Sequence, residues 1–277
     1  MALLQVNYVS NVLFRTVTMH VILPSDRLDK GRRCYVNTGK KFKTLYLLHG
    51  LLGNYTDWVS FTNIQRYAEK HDLAVVMPSG DNAFYVNSLA PNNDYGRFVG
   101  EELVEITRAM FPLSDRREDT FIGGLSMGGF GALRNGLKYA DTFSHIICLS
   151  GALHIMDEDC VQVAQENGIF GKMSVARLSD KNPAVCLKKL VQQKEKDPSV
   201  QIPKVYLACG LEDSLLPSNQ RFRDLLREAG ADITYVEEAG YAHEWSFWDR
   251  HIGKAICEWL PLEENEGGLS SGNVKTD

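Results

Sequence analysis

Five consecutive residues, Gly124-Leu125-Ser126-Met127-Gly128, carry the strongest chemical signal in the chain. A serine in the pattern G-x-S-x-G can occupy a turn too tight for side chains at its flanks. The apolar run 120–125 precedes it, and the small-residue stretch Gly129-Phe130-Gly131-Ala132-Leu133 follows it. Strand, turn and helix in that order are what a nucleophile elbow requires. The hydroxyl then stands exposed at the tip with a helix N-terminus behind it. The bland alternative is a glycine-rich strand-to-helix turn without chemistry.

A serine hydroxyl is a weak nucleophile and needs a base. Of seven histidines, His20 falls mid-strand, His71 at a helix end, His145 at the opening of a strand and His251 within the last helix. His243 differs. It lies in Gly240-Tyr241-Ala242-His243-Glu244-Trp245, between the last strand-like run and the last helix. Loops at the carboxyl ends of strands are where α/β sheets build sites. Its position after the serine also fits the chain order Ser, acid, His. The acid is expected in the loop after the strand 204–208, which offers Glu212 and Asp213. Spacing does not choose between them. Asp213 is favoured, its task being to fix the imidazole tautomer and stabilise the imidazolium. Glu212 is then left as a solvated loop residue.

Charge developing on a substrate oxygen needs two backbone N–H donors. Met127, next after the serine, supplies one. The other is expected from the first βα loop, His49-Gly50-Leu51-Leu52-Gly53, at Leu51. His49 itself reads as structural.

The elements that must position these residues alternate along the chain. Strand-like runs cover 17–23, 45–48, 73–77, 120–125, 144–149, 204–208 and 233–236. Helical periodicity covers 63–71, 98–110, 130–139, 219–229 and 245–260. Short continuous apolar runs suit strands buried on both faces of a mostly parallel sheet. Strands alternating with helices imply an α/β fold with right-handed crossovers. Residues 152–200 interrupt the rhythm, with helical patterns near 160–166 and 183–194. Two readings stay open for this insertion: a small cap over the carboxyl edge, or an enlarged crossover with no role at the site. One domain is expected over 1–262, followed by a polar, Gly/Ser-rich tail over 263–277 that reads as disordered.

Composition narrows the function classes. The 277 residues carry 30 basic and 35 acidic side chains, a net charge of −5. No basic stripe points to nucleic acid. No apolar run approaches the ~20 residues of a membrane span. The opening residues do not read as a signal peptide, and a cytoplasmic location is expected. The six cysteines, Cys34, Cys148, Cys160, Cys186, Cys209 and Cys257, are scattered without a CxxC and read as free thiols.

The chain also resembles a known family. Residues 47–54 (Leu-Leu-His-Gly-Leu-Leu-Gly-Asn) with Trp58, residues 124–132 (Gly-Leu-Ser-Met-Gly-Gly-Phe-Gly-Ala) and residues 240–248 (Gly-Tyr-Ala-His-Glu-Trp-Ser-Phe-Trp) look like the esterase D group. That group includes S-formylglutathione hydrolases, bacterial tributyrin esterases and carbohydrate-linked acetyl or feruloyl esterases. The resemblance spans roughly 1–262. It is nearest the tributyrin branch, judged by the opening residues 1–8 and by Glu101-Glu102-Leu103. It implies an α/β-hydrolase fold and a serine carboxylesterase acting on short-chain acyl esters, with no cofactor and no metal. It supports Asp213 over Glu212 through a Gly-x-x-Asp pattern. Leu125 stands where the formylglutathione branch carries histidine, which weakens that assignment. A thioesterase and an acyltransferase share the same chemistry and stay open, as does self-association into a homo-oligomer. A non-catalytic binding protein on this fold would be expected to lack one of the three residues, and none is missing. The polar loop from Ser79 through Tyr95 is crowded with Asn, Asp, Ser and Tyr. Tyr95 and Trp58 are its and the neighbouring loop's candidates for substrate contact. The loop suits a hydroxyl-rich leaving group such as a sugar, and equally suits a set of solvated turns.

Overall fold

The computed structural model describes residues 1–25, 39, 41–157 and 168–264. Eight strands form one sheet in the order β1-β2-β4-β3-β5-β6-β7-β8. They are β1 (Ala2–Ser10), β2 (Arg15–Leu23), β3 (Thr44–Leu48), β4 (Ala74–Pro78), β5 (Thr120–Leu125), β6 (His145–Leu149), β7 (Lys204–Gly210) and β8 (Ile233–Glu238). β1 and β2 pair antiparallel, and β2 pairs antiparallel with β4. Every other neighbour is parallel.

β3, β4, β5 and β6 are buried along their whole length. Side chains alternate between faces with period two, so both faces of these strands must be apolar. Leu45 and Leu47 of β3 pack with Trp58, Ile64, Phe247 and Ile252 on one side. Tyr46 and Leu48 pack with Phe130, Leu133, Leu187 and Leu226 on the other. Each such side chain stabilises the fold by about 1.5–3 kcal/mol through removal from water. This double coverage is why the central strands read as continuous apolar runs.

β1 was not among the expected strands. Its exposure alternates along the strand, with Val6 and Tyr8 turned to the core and Val9 outward. It is an edge strand of mixed composition, which weakens the apolar signal. The buried Glu102 carboxylate anchors its turn. It accepts the N–H of Asn11 (2.6 Å) and Val12 (3.2 Å) and the Ser10 hydroxyl.

Three helices differ from expectation at their ends. The one after the serine begins at Met127 and runs to Lys138. Its glycines lower helix propensity but are demanded by packing. The helix 98–110 starts with a π-helical turn, Phe98–Glu102, before the α-helix Leu103–Met110. The last helix, Trp245–Lys254, passes into another π-helical turn, Ala255–Trp259.

The insertion divides into two roles. Its helix Pro183–Lys196 buries Cys186, Leu187 and Leu190 in the core cluster that includes the Met127–Lys138 helix. This helix packs as a crossover helix against the sheet layer. Arg134, wholly buried in the Met127–Lys138 helix, donates to the Asp180 carbonyl (2.8 Å) and carboxylate (3.2 Å), fastening the segment before that crossover. The expected helical pattern at 160–166 lies outside the described residues, as do Cys34, Cys160 and the tail from 265. The other four cysteines are free thiols. No helix among the described residues is long and apolar enough to cross a membrane.

Two buried histidines set an acid limit on stability. His145 is stacked edge-on between Phe121 and Trp259, and His251 lies against Tyr206 and Phe247. Burial, reinforced by nearby lysines, pushes both down to about 4. An unfolded histidine titrates near ~6.5. Between these values the unfolded chain binds more protons, so stability falls as pH drops through that window and is fully present above it. The melting temperature is expected to decline from about pH 7 to about pH 4.5, with a shallower slope in His145→Asn. A melting temperature that is flat across that range would refute this.

Candidate active site

Ser126 sits at the end of β5 with φ +54° and ψ −118°. That backbone is strained for a residue with a side chain. Close packing holds it there. A Cβ on Gly124 would stand 2.4 Å from the Gly128 carbonyl oxygen, and one on Gly128 would stand 2.4 Å from the Leu48 carbonyl oxygen. The Ser126 N–H donates to Leu149 (2.9 Å), and its carbonyl accepts from Phe130 and Ala152 (both 3.0 Å).

His243 lies between the other two residues. Its Nε2 is 3.0 Å from Ser126 Oγ and its Nδ1 is 2.9 Å from Asp213 Oδ2. With Asp213 accepting from Nδ1–H, Nε2 carries the free lone pair and faces the hydroxyl. The ring also packs edge-on against Trp248 at 4.8 Å. The sequence separations are 117 and 30 residues, so only the assembled sheet brings these groups together.

The two adjacent carboxylates divide their work. The Asp213 side chain is wholly buried. Burial pushes its carboxyl up, but the His243 N–H and the Leu215 N–H outweigh it and hold it below the usual range. Glu212 is exposed. It is a solvated loop residue, as expected, and it has partners as well. It accepts the N–H groups of Gly240 (3.1 Å) and Tyr241 (2.8 Å), which lowers its own pKa and braces the loop that carries His243.

The first βα loop is fixed from two sides. Trp58 Nε1 donates to the Leu48 carbonyl (3.1 Å), and Tyr85 Oη donates to the His49 carbonyl (3.0 Å). His49 is buried; its Nε2 accepts from the Gly80 N–H (2.8 Å) while Nδ1 donates to the Gly50 carbonyl (2.7 Å). It is a strut between two loops, as its structural reading implied. A Cβ on Gly50 would lie 3.6 Å from Ser126 Cβ, so this loop passes directly beside the serine. Leu51 follows in that turn. Met127, the first residue of its helix, presents an N–H without an intrahelical acceptor.

A family model described as "Putative esterase" matches residues 10–253. The chain belongs to the esterase family. An acetyl esterase of Caldicellulosiruptor saccharolyticus is 40% identical to it over 269 residues, covering 94% of this chain and 98% of the relative. Among solved structures, the fluorophosphonate-binding serine hydrolase FphF of Staphylococcus aureus superposes with a TM-score of 0.80 at 32% identity. The S-formylglutathione hydrolase FrmB of the same organism gives 0.78 at 31%. Each alignment covers 94% of this chain and 98% of the other. The esterase is thus a carboxylic ester hydrolase on the α/β-hydrolase fold.

The two expected contact residues of this esterase, Trp58 and Tyr95, are both largely covered. Trp58 is 1% exposed and spends its only donor on Leu48. It positions the loop beside Ser126 and cannot line a substrate pocket. Tyr95 is also 1% exposed, and its hydroxyl donates to Asp81 (2.5 Å) and meets Arg15. Tyr95 nonetheless forms part of the wall of an open cleft of about 370 Å³, together with Asp81, Asn82, Ser88, Asn93 and Ile169. Asn82 Oδ1 accepts the Leu52 N–H (2.8 Å), which ties this cleft to the loop beside the serine. The bracing by Glu212 had no sequence signal, because its partners are backbone groups 28 and 29 residues away.

Substitution separates the two carboxylates. Glu212→Ala is expected to lower kcat/KM for p-nitrophenyl acetate by about 3- to 10-fold, through looser placement of His243. Asp213→Ala should cost on the order of 10⁴-fold. Equal losses in the two variants would contradict this division.

Proposed function

We propose that this esterase hydrolyses short-chain acyl esters, acetyl esters foremost, through an acyl-enzyme on Ser126. The observation that carries this is the single imidazole within hydrogen-bond distance of both Ser126 Oγ and the Asp213 carboxylate. His243 Nε2 takes the hydroxyl proton as Oγ attacks the ester carbonyl. The N–H groups of Leu51 and Met127 receive the oxyanion. Collapse of the tetrahedral intermediate expels the alcohol, which leaves with the proton from Nε2. Water then attacks the acyl-enzyme, giving its proton to Nε2, and that proton returns to Oγ as the carboxylic acid departs. Asp213 keeps Nδ1 protonated and stabilises the imidazolium. The 40% identical acetyl esterase supports a small acyl group. The free thiols fit a cytoplasmic location for the protein.

A second reading concerns the alcohol. The cleft beside the Leu51-Leu52 turn is lined by Asp81, Asn82, Ser88 and Asn93 and walled by Tyr95. Hydrogen-bonding groups beside an aromatic wall suit a hydroxyl-rich leaving group such as a sugar. Tyr95 acts there by holding Asp81 in place, its own hydroxyl being engaged.

Ser126→Ala is expected to abolish p-nitrophenyl acetate hydrolysis, a loss of roughly 10⁴ to 10⁶ in kcat. It should also abolish covalent labelling by a fluorophosphonate while keeping the melting temperature. Labelling that persists in this variant would remove Ser126 as the nucleophile.

Ester panels test the substrate side. Acetyl and butyryl esters should exceed octanoyl esters in kcat/KM, and acetylated xylo-oligosaccharides should exceed simple alkyl acetates. Asn93→Ala should erode the sugar preference and leave aryl acetates unchanged. Alkyl acetates turned over as well as the sugar esters would take the sugar role away from the cleft.

A further inference from the structure

Two hydrogen bonds do not fix a ring in space. His243 meets Asp213 Oδ2 through Nδ1 at 2.9 Å and Ser126 Oγ through Nε2 at 3.0 Å. The imidazole can still tip about the line joining these two partners with little change in either distance. The second contact is also temporary. Once Oγ carries an acyl group it has no proton to donate, and Nε2 turns to water. About a third of the His243 side chain (34%) is exposed, so packing covers it only in part. Another contact must set the plane of the ring.

Trp248 is placed to do so. Its ring lies 4.8 Å from the imidazole, centroid to centroid, with the two planes at 84°. Such an edge-to-face contact resists tipping, because rotation of either ring drives atoms together or opens a gap. Trp248 itself has little freedom. It is buried in the core cluster that holds Trp58, Phe247 and Ile252. The last helix starts at Trp245, two residues after His243, and the Trp248 N–H closes its first turn on the Glu244 carbonyl (3.3 Å).

The ring contacts continue beyond Trp248. Trp245 and Trp248, three residues apart, share a helix face. Trp245 stands 5.1 Å from Trp248 at 85°, and Trp58 stands 5.6 Å from Trp245 at 88°. Phe61 flanks Trp245 at 4.9 Å. Trp58 Nε1 in turn donates to the Leu48 carbonyl, at the start of the loop beside Ser126. Three indoles, each perpendicular to the next, thus connect the imidazole to that loop. The Trp248 Nε1–H meets no acceptor among the described residues. The ring's shape, and not a hydrogen bond, is what this residue brings to His243.

We propose that Trp248 is a positioning residue of this esterase: its ring holds the plane of the His243 imidazole, and Trp245 and Trp58 tie that ring to the loop beside the serine. The constraint persists in the acyl-enzyme, when Ser126 no longer bonds Nε2, so both half-reactions depend on it. No bond is made or broken at Trp248. This assignment rests on His243 being the base of the proposed mechanism.

Two substitutions separate the ring from the bulk. Trp248→Leu removes the ring and keeps an apolar side chain in the core. Trp248→Phe keeps a ring and breaks no hydrogen bond to a described residue. With p-nitrophenyl acetate, Trp248→Leu should lose about 10-fold or more in kcat, with KM within about twofold of wild type. Single-turnover acylation and hydrolysis of the acetyl-enzyme should slow together. Trp248→Phe should recover kcat to within about threefold of wild type. A Trp248→Leu enzyme with kcat within about twofold of wild type would overturn the inference, as would equal losses in the Leu and Phe variants. If Trp248→Leu does not fold, Trp245→Leu at the half-buried neighbour takes its place. It should lower kcat by about threefold at constant KM, and an unchanged kcat overturns the inference. His243→Ala is the companion measurement. Wild-type kcat in His243→Ala removes the base assignment itself. Inactive His243→Ala beside fully active Trp248→Leu removes only the role of Trp248.

Discussion

At Gly128 the elbow helix meets the carbonyls of Leu48 and His49 with no space for a side chain. This backbone-to-backbone approach governs much of the site. It holds Ser126 in its positive-φ conformation, because the chain cannot relax outward without parting β5 from the first βα loop. It brings the Gly50-Leu51 turn beside the serine, where an oxyanion would form. Trp58 and Tyr85 then bind the same two carbonyls from their other side. The strain at Ser126, of order 1–3 kcal/mol, is thus maintained by packing already present in the core.

Asp213 and Glu212 show how one bond of separation changes a carboxylate's task. Asp213 points inward and loses all contact with water. It stays charged only because donors converge on it, and that concentration of donors also fixes its direction. Glu212 points outward, where solvent screens its charge and no buried partner constrains it. It can still accept two backbone N–H groups and so limits the movement of the loop bearing His243. The first residue contacts the imidazole itself, and the second holds the loop that carries it.

The insertion after β6 serves both the core and the cleft. Its crossover helix covers one sheet face, as any βαβ connection must. The buried Arg134 ties Asp180 to the elbow helix, so the stretch leading into the crossover is anchored to the element carrying Ser126. Ile169 reaches the cleft from this anchored segment. The cleft is thus bounded by the polar loop after β4 on one side and by the insertion on the other.

Much of this was already determined by the sequence. Gly124-Leu125-Ser126-Met127-Gly128 specifies its turn locally, because only glycine tolerates the approach on both sides. The central strands announced themselves because burial on both faces makes them uniformly apolar. The order of Ser126, Asp213 and His243 followed from a parallel sheet whose loops all open at one edge. Tertiary structure decided the rest. Trp58 and Tyr95 have residue types that suit substrate contact, but exposure depends on what packs over a side chain: Trp58 is buried under the loop it supports, and Tyr95, equally buried, still forms part of the cleft wall. β1 carries only a weak strand signal because an edge strand buries one face only. Glu212 acts on groups distant in sequence, through a loop backbone. Its identity carries no local pattern, so its role exists only once β7 and β8 lie side by side.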